Sequence, residues 1–200
     1  MDFLSRAHIL KYHKDNIKTY GLESNEALGW KNRENQTIRF DVLTQAGDFS
    51  NCSLLDVGCG TGDLLDFFDH RAITCDYTGI DQVKEFIELA GKKYESHSNA
   101  SFLLGDFWSA ALPFYDYVVA SGSLSYRNSD PDFIYKMIFR LYSLSNVAFA
   151  FNLPGSATLK DGGLIAYDKN RILAYCNKIC LKVKLIDNYL EDDYTIFMYK

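Results

Sequence analysis

Hydrophobic and polar positions alternate in two different periods along this chain, and the change of period marks its elements. Ile38, Val42 and Ala46 in "ENQTIRFDVLTQAGD" form a helical face that Gly47 ends, after an earlier helical stretch near the N-terminus. From there strands and helices take turns. "CSLLDV" reads as a buried strand and "DLLDFF" begins a helix; "AITCDYTGI" is a second strand, and Val83, Phe86, Ile87, Ala90 and Tyr94 make a helical stripe. "ASFLLG" is the third strand and "YDYVVA" the fourth. Phe133, Met137, Ile138, Leu141 and Leu144 mark a helix, "NVAFAFNL" a fifth strand, and Asp168 to Cys180 a last helix. The chain closes with "LKVKLIDNYL" and "YTIFMYK", two strands with no room for a crossover helix, so that pair should be antiparallel.

Strands buried on both faces, with helices between them, predict an α/β doubly wound sheet in three layers with a terminal hairpin. Its ligands should lie at the carboxyl ends of the strands. One domain over 1–200 is expected, with 1–50 as N-terminal helices and 51–200 as a Rossmann-like core. Composition agrees: 200 residues of which 48% are hydrophobic can bury a large core.

Composition also narrows the partners. A formal charge of −5, with only three lysines in its densest basic cluster at 177–185, gives no reason to expect nucleic acid. No apolar run reaches membrane-span length and the N-terminus lacks an h-region, so a cytoplasmic protein without membrane partners is expected. Five cysteines at irregular spacing point to reduced thiols. Cys176 and Cys180 share their helix face with apolar neighbours and read as buried thiols rather than metal ligands.

The chemistry concentrates in "LLDVGCGTGDLLDFF", where three glycines separate the first strand from a helix. A dinucleotide turn needs a third small residue at position 63 to pack the helix beneath a pyrophosphate. Here Asp63 stands, and its carboxylate would repel phosphates at that helix N-terminus. No Gly-Lys-Ser/Thr follows to make a P-loop. The backbone therefore approaches a ligand without phosphates.

Asp-x-Gly-x-Gly-x-Gly ending a first strand, followed in order by "YTGIDQ", "LLGDFW" and "YDYVVASGSLSY", resembles the class I S-adenosylmethionine-dependent methyltransferases over roughly residues 53–153. That resemblance implies a seven-stranded, mostly parallel sheet of order 3-2-1-4-5-7-6 with an antiparallel C-terminal strand and an N-terminal helical lid. It implies S-adenosyl-L-methionine as cofactor and S-adenosyl-L-homocysteine as product. Asp56, Gly58, Cys59, Gly60 and Gly62 would lie under the methionine portion, with Asp56 placing negative charge near the sulfonium. Asp81, beside Gln82, would accept from the ribose hydroxyls, a role compatible with helix capping. Gly105 and Asp106 would meet the adenine amino group while Phe107 or Trp108 covers the ring, and Ser121 would leave the fourth strand beside the transferable methyl. Upstream, Arg39 would pair with the cofactor carboxylate, and Trp30 or Tyr20 would close the pocket.

The resemblance implies in-line displacement on a small-molecule methyl acceptor, with a small protein as a further acceptor class. Such transfer runs on proximity and orientation, and needs a base only where the nucleophile has a proton to lose. No catalytic residue is assigned; Tyr126, Asn152, His8 and His13 are candidates. The chain lacks the Asn/Asp-Pro-Pro-aromatic motif of amide and adenine methylation. A cysteine nucleophile is missing after the fourth strand, and Ser121 and Asn152 stand where magnesium-dependent enzymes carry acids. Metal-independent transfer by a monomer or homodimer is the expectation. The competing readings are a cofactor-binding member without turnover and a nicotinamide-dependent oxidoreductase, the latter opposed by Asp63.

Overall fold

A computed structural model describes residues 3–155 and 163–200, without the side chain at position 3. Two helices come first, α1 (Phe3–Tyr20) and α2 (Arg33–Leu43). Asn32 caps α2 by accepting a 2.8 Å hydrogen bond from the Asn35 amide, and Glu34 in the first turn suits the helix dipole. The 3₁₀ turn Thr44–Ala46 carries the chain to Gly47.

The alternating segment follows as β1 (Ser53–Val57), α3 (Asp63–Asp69), β2 (Asp76–Asp81), α4 (Lys84–Lys93), β3 (Ala100–Leu104), β4 (Tyr115–Ala120), α5 (Phe133–Leu144), β5 (Ser145–Pro154) and α6 (Lys169–Ile179). β6 (Lys182–Ile186) and β7 (Asp193–Tyr199) complete it. The seven strands form one sheet of order β3-β2-β1-β4-β5-β7-β6. β1 through β5 pair in parallel, while β7 runs antiparallel to both β5 and β6, as the short final connection requires. The expected order and the antiparallel ending are both found. The second strand is shorter than its hydrophobic run suggests, since only Asp76–Asp81 pairs and Ala72–Cys75 remains outside the ladder.

The side-chain period of two sorts each strand between two cores. Leu55, Val57, Val118, Ala120, Phe149 and Phe151 face α5 and α6, where they meet Phe133, Met137, Ile138, Leu141 and Ile172. Leu54, Tyr117, Val119, Ala148, Ala150 and Phe197 face the other way, onto Phe40 and Leu43 of α2 and Leu64, Leu65 and Phe68 of α3. Burial on both sides explains why the strands read as continuous apolar runs. Among the described residues, no helix is long and apolar enough to cross a membrane.

This topology gathers one rim of the sheet. β1 gives way to Gly58, β4 to Ser121 and β5 ends at Pro154, all at their carboxyl ends. Because β7 is antiparallel, its first residue, Asp193, pairs with Pro154 and arrives at that same rim. α1 lies above it through a third apolar group, in which Ala27, Val83 and Phe86 are joined by Leu10, Ile17 and Leu28.

Candidate active site

Between the rim and the N-terminal helices lies a cavity of about 770 Å³, within the ordinary range for small-molecule sites. Its floor is the glycine turn. Gly58, Gly60 and Gly62 adopt φ values of 74°, 55° and 81°, a region side chains enter at a cost of roughly 1–3 kcal/mol each. Their crowding comes from the protein itself. A Cβ on Gly58 would sit 2.3 Å from the Ser123 Cβ, on Gly60 2.5 Å from Leu28, and on Gly62 2.6 Å from the Tyr94 ring.

Asp81 organises that turn. One carboxylate oxygen accepts from the Gly60 amide at 3.0 Å and the other from the Val83 amide at 2.8 Å. The group is buried, and desolvation raises its pKa against the pull of those amides and of nearby His13. Asp56 is buried as well and accepts from the Tyr77 hydroxyl at 2.6 Å. Desolvation, reinforced by Asp81 and Asp63, pushes its pKa up to about 7. Asp63 holds the turn to α2 by accepting from Gln36 at 2.8 Å, and Thr61 donates to it at 3.1 Å. The cavity lining holds Asp56, Asp63, Asp81, Glu191, Asp192 and Asp193 against Lys31 and Arg39, a balance that favours a cationic ligand.

Across the cavity, Asn152 receives the Gly122 amide at 2.9 Å and donates to Ser121 Oγ at 3.2 Å. The Ser123 hydroxyl donates to the Val57 carbonyl at 2.5 Å, locking this segment onto β1. Arg39 pairs with Asp193, and its guanidinium lies 4.9 Å from the Trp30 ring centroid. Trp30 in turn covers Gly122, where a Cβ would fall 2.9 Å from the indole. From α1, buried His13 reaches in to contact the Ala27 carbonyl at 2.8 Å and the Tyr126 hydroxyl at 2.7 Å. Three buried polar atoms of the lining have no hydrogen-bond partner among the described residues: Gln82 Oε1, Ser125 Oγ and Asp193 Oδ1. A buried polar atom without a partner is costly, so these three are open to polar groups of a ligand.

Of the residues singled out by sequence, Trp30, Arg39, Asp56, Gly58, Cys59, Gly60, Asp81, Gln82, Phe107 and Ser121 line this one cavity. Gly62, Gly105 and Asp106 do not. Gly62 starts α3 and packs under Tyr94, which donates to its carbonyl at 2.8 Å, while Asp106 accepts from the Trp108 amide at 3.0 Å in its own turn. Arg39, expected to meet the cofactor carboxylate, is paired with Asp193. Tyr20 and His8 are exposed and lie away from the lining. Sequence reasoning missed Asp193 and Ser125. The acidic run "EDD" ahead of the last strand was the available signal for Asp193; Ser125 offered none. Cys176 and Cys180 are buried free thiols, and the described residues contain no group of three or more potential metal ligands.

A doubly wound sheet of this order thus carries an acidic, glycine-floored cavity at its carboxyl rim. The chain belongs to the class I S-adenosylmethionine-dependent methyltransferase family: the family described as "Methyltransferase domain" matches residues 54–143. It is 31% identical over 157 residues, 74% of this chain and 93% of the relative, to Rv1506c of Mycobacterium tuberculosis, itself named only provisionally as a methyltransferase. Magnesium-protoporphyrin O-methyltransferase of Rhodobacter capsulatus is 32% identical over 62% of this chain and 55% of its own. Among solved structures, magnesium protoporphyrin IX methyltransferase from Synechocystis PCC 6803 with bound S-adenosylmethionine superposes with a TM-score of 0.70 at 15% identity, covering 100% of this chain and 98% of its own. The N-methyltransferase NodS from Bradyrhizobium japonicum, in complex with S-adenosylhomocysteine, gives 0.69 at 17% identity over 96% and 98%.

Proposed function

We propose that this protein transfers the methyl group of S-adenosylmethionine to a small-molecule acceptor held in the half of the cavity formed by Ser121–Tyr126, Trp30 and Asp193. One observation carries this reading: a single cavity joins the glycine turn to the end of β4, with three unpartnered buried polar atoms, Gln82 Oε1 on one side and Ser125 Oγ and Asp193 Oδ1 on the other. When bound, the cofactor supplies a methyl group made electrophilic by the sulfonium.

The residues fit that cofactor. The floor and Asp56 suit a cationic ligand. Asp81, with an acceptor capacity of about four lone pairs and two amides satisfied, keeps room for ribose hydroxyls. The unpartnered Gln82 oxygen lies beside it and accepts an N–H or O–H donor, and Phe107 offers a ring face for the adenine. Gly62 acts by seating α3, and Asp106 by shaping the turn that presents Phe107. Of the N-terminal residues 1–50, those up to Trp30 serve as a lid over the 51–200 core, held by His13, Leu28 and Trp30, while α2 packs Phe40 and Leu43 onto the sheet. Ser121 and Asn152 are bonded to one another rather than offering charge to a cation, which supports transfer without a metal.

Calorimetric titration with S-adenosylmethionine, S-adenosylhomocysteine and NAD tests the reading. Binding of the first two is expected; NAD binding without S-adenosylhomocysteine binding overturns it.

A further inference from the structure

We propose that Tyr126 and His13 form a proton relay that takes the proton from an acceptor hydroxyl, and that the acceptor is therefore an ionisable hydroxyl on a planar ring or enol. The inference rests on the methyl-transfer reading above and names the substrate class of that same cavity.

The hydrogen bonds fix the direction of the relay. A carbonyl can only accept, so His13 Nδ1 carries a proton and donates it to Ala27 at 2.8 Å. In the neutral ring Nε2 is then an acceptor, and the Tyr126 hydroxyl, 2.7 Å away, donates to it. That leaves the Tyr126 oxygen lone pairs free to receive a proton from the cavity, which both residues line. Nothing about the pair is local in sequence: α1 supplies one member and the segment after β4 the other. The dyad exists only while the N-terminal helices cover the rim.

Burial favours this pair as a relay rather than as a stored charge. Desolvation lowers the pKa of His13, so the ring is neutral and able to accept near pH 7. Tyr126 is pushed far above its ordinary range by desolvation, so it passes a proton on rather than ionising alone. The groups facing His13 are Tyr12 on its own helix, Tyr126, the Phe86 ring and the Asp81 carboxylate. Of these, Asp81 and the Ala27 carbonyl both stabilise an imidazolium once it forms. The ribose-side carboxylate thus supports the base.

In the step, the acceptor O–H bond breaks as its proton passes to the Tyr126 oxygen and the Tyr126 proton passes to His13 Nε2. The acceptor oxygen keeps the electron pair and forms the new bond to the methyl carbon, while the C–S pair stays on sulfur. The positive charge lost from sulfur reappears on His13, so charge balances. A neutral amine needs no such base, because its lone pair is available before its proton leaves. An alkyl alcohol is too weak an acid for an imidazole sink, whereas a phenol or enol is matched to it. Trp30, which lines the acceptor half of the same cavity, supplies an aromatic neighbour for such a ring.

The test compares two phenols on the S-adenosylmethionine-loaded protein: 4-nitrophenol above its ionisation midpoint, already an anion, and unsubstituted phenol, still protonated. His13→Gln and Tyr126→Phe should each slow transfer to phenol about tenfold or more beyond any loss on the 4-nitrophenol anion, while retaining S-adenosylhomocysteine binding. Equal losses on the two phenols, or no transfer to either by wild type, overturns the proposal. Should the variants not fold, nitrogen NMR of wild-type His13 decides: a proton on Nδ1 supports the relay, and a proton on Nε2 in the free state overturns it. If S-adenosylhomocysteine itself does not bind, the methyl-transfer reading has failed first.

Discussion

The two halves of the cavity are built on opposite plans. On the β1–β2 side the backbone does much of the work: positive-φ glycines, and the Gly60 and Val83 amides gathered by Asp81, shape the turn at the strand ends. On the β4–β5–β7 side, long-range side-chain pairs do it. Arg39 meets Asp193 from 154 residues away, and His13 meets Tyr126 from 113. The first plan suits a ligand common to a whole family; the second can be rebuilt for each acceptor while the floor stays fixed.

The sharpest way to break that contrast is Arg39→Ala. Asp193 is 3% exposed and already keeps one oxygen without a partner, so removing its cation strands a buried charge. Losing one partner of a buried pair costs about 3 kcal/mol, which for a chain of this length lowers Tm by roughly 10 °C. Thermal unfolding measures it, and Arg39→Ala/Asp193→Asn should recover much of the loss. A shift of only one or two degrees would show the pair to be dispensable and the second plan less dependent on long-range contacts.

Asp81→Ala probes the first plan directly. It removes the proposed ribose acceptor, about 2 kcal/mol of binding or roughly a thirtyfold rise in Kd for S-adenosylhomocysteine, together with the two amide contacts that order the turn. Calorimetry reads this. Unchanged affinity would sink the ribose role and leave Asp81 as a cap for the turn.

These plans also account for what could be read from the chain. The doubly wound sheet, its antiparallel ending, the glycine turn and Asp81 were legible because their determinants are local: apolar runs, a short final connection, glycine spacing and an acid ending a strand. The strand order came from the family resemblance. Asp193 and the His13–Tyr126 pair were not, since no spacing rule joins residues brought together by an antiparallel last strand or a folded-over helix. Arg39, expected to pair with the cofactor carboxylate, lines the cavity but pairs with Asp193, a partner only the tertiary structure supplies. Asp106, read from its motif, accepts from the Trp108 amide and lies outside the cavity lining.

A pH series tests the charge of the floor. Asp56 is held protonated to about pH 7 by burial, whereas in the unfolded chain it ionises near the ordinary value of about 4. Its contribution to stability is therefore complete below that lower value and is lost as pH rises through about 7. Thermal unfolding across this window should show the decline, and Asp56→Asn should flatten it. A cationic sulfonium favours the ionised carboxylate, so S-adenosylmethionine affinity should strengthen by up to about tenfold for each unit that pH rises toward 7. S-adenosylhomocysteine, without that charge, should lack the same slope. Parallel slopes for the two ligands would place the sulfonium away from Asp56.

The smallest effect separates structure from function by its sign. Gln82 is buried with Oε1 unpartnered, so its amide oxygen is a cost carried by the ligand-free fold. Gln82→Met keeps a similar length, removes the orphaned acceptor, and should stabilise the free protein by about 1 kcal/mol, raising Tm by roughly 3 °C. The same change deletes a hydrogen bond that the cofactor is proposed to complete, and should weaken S-adenosylhomocysteine binding about fivefold to tenfold. Thermal unfolding with and without ligand records both quantities on one sample. Opposite signs are expected only if the oxygen is kept for a ligand: a residue serving the fold would lower both, and a residue serving neither would move neither.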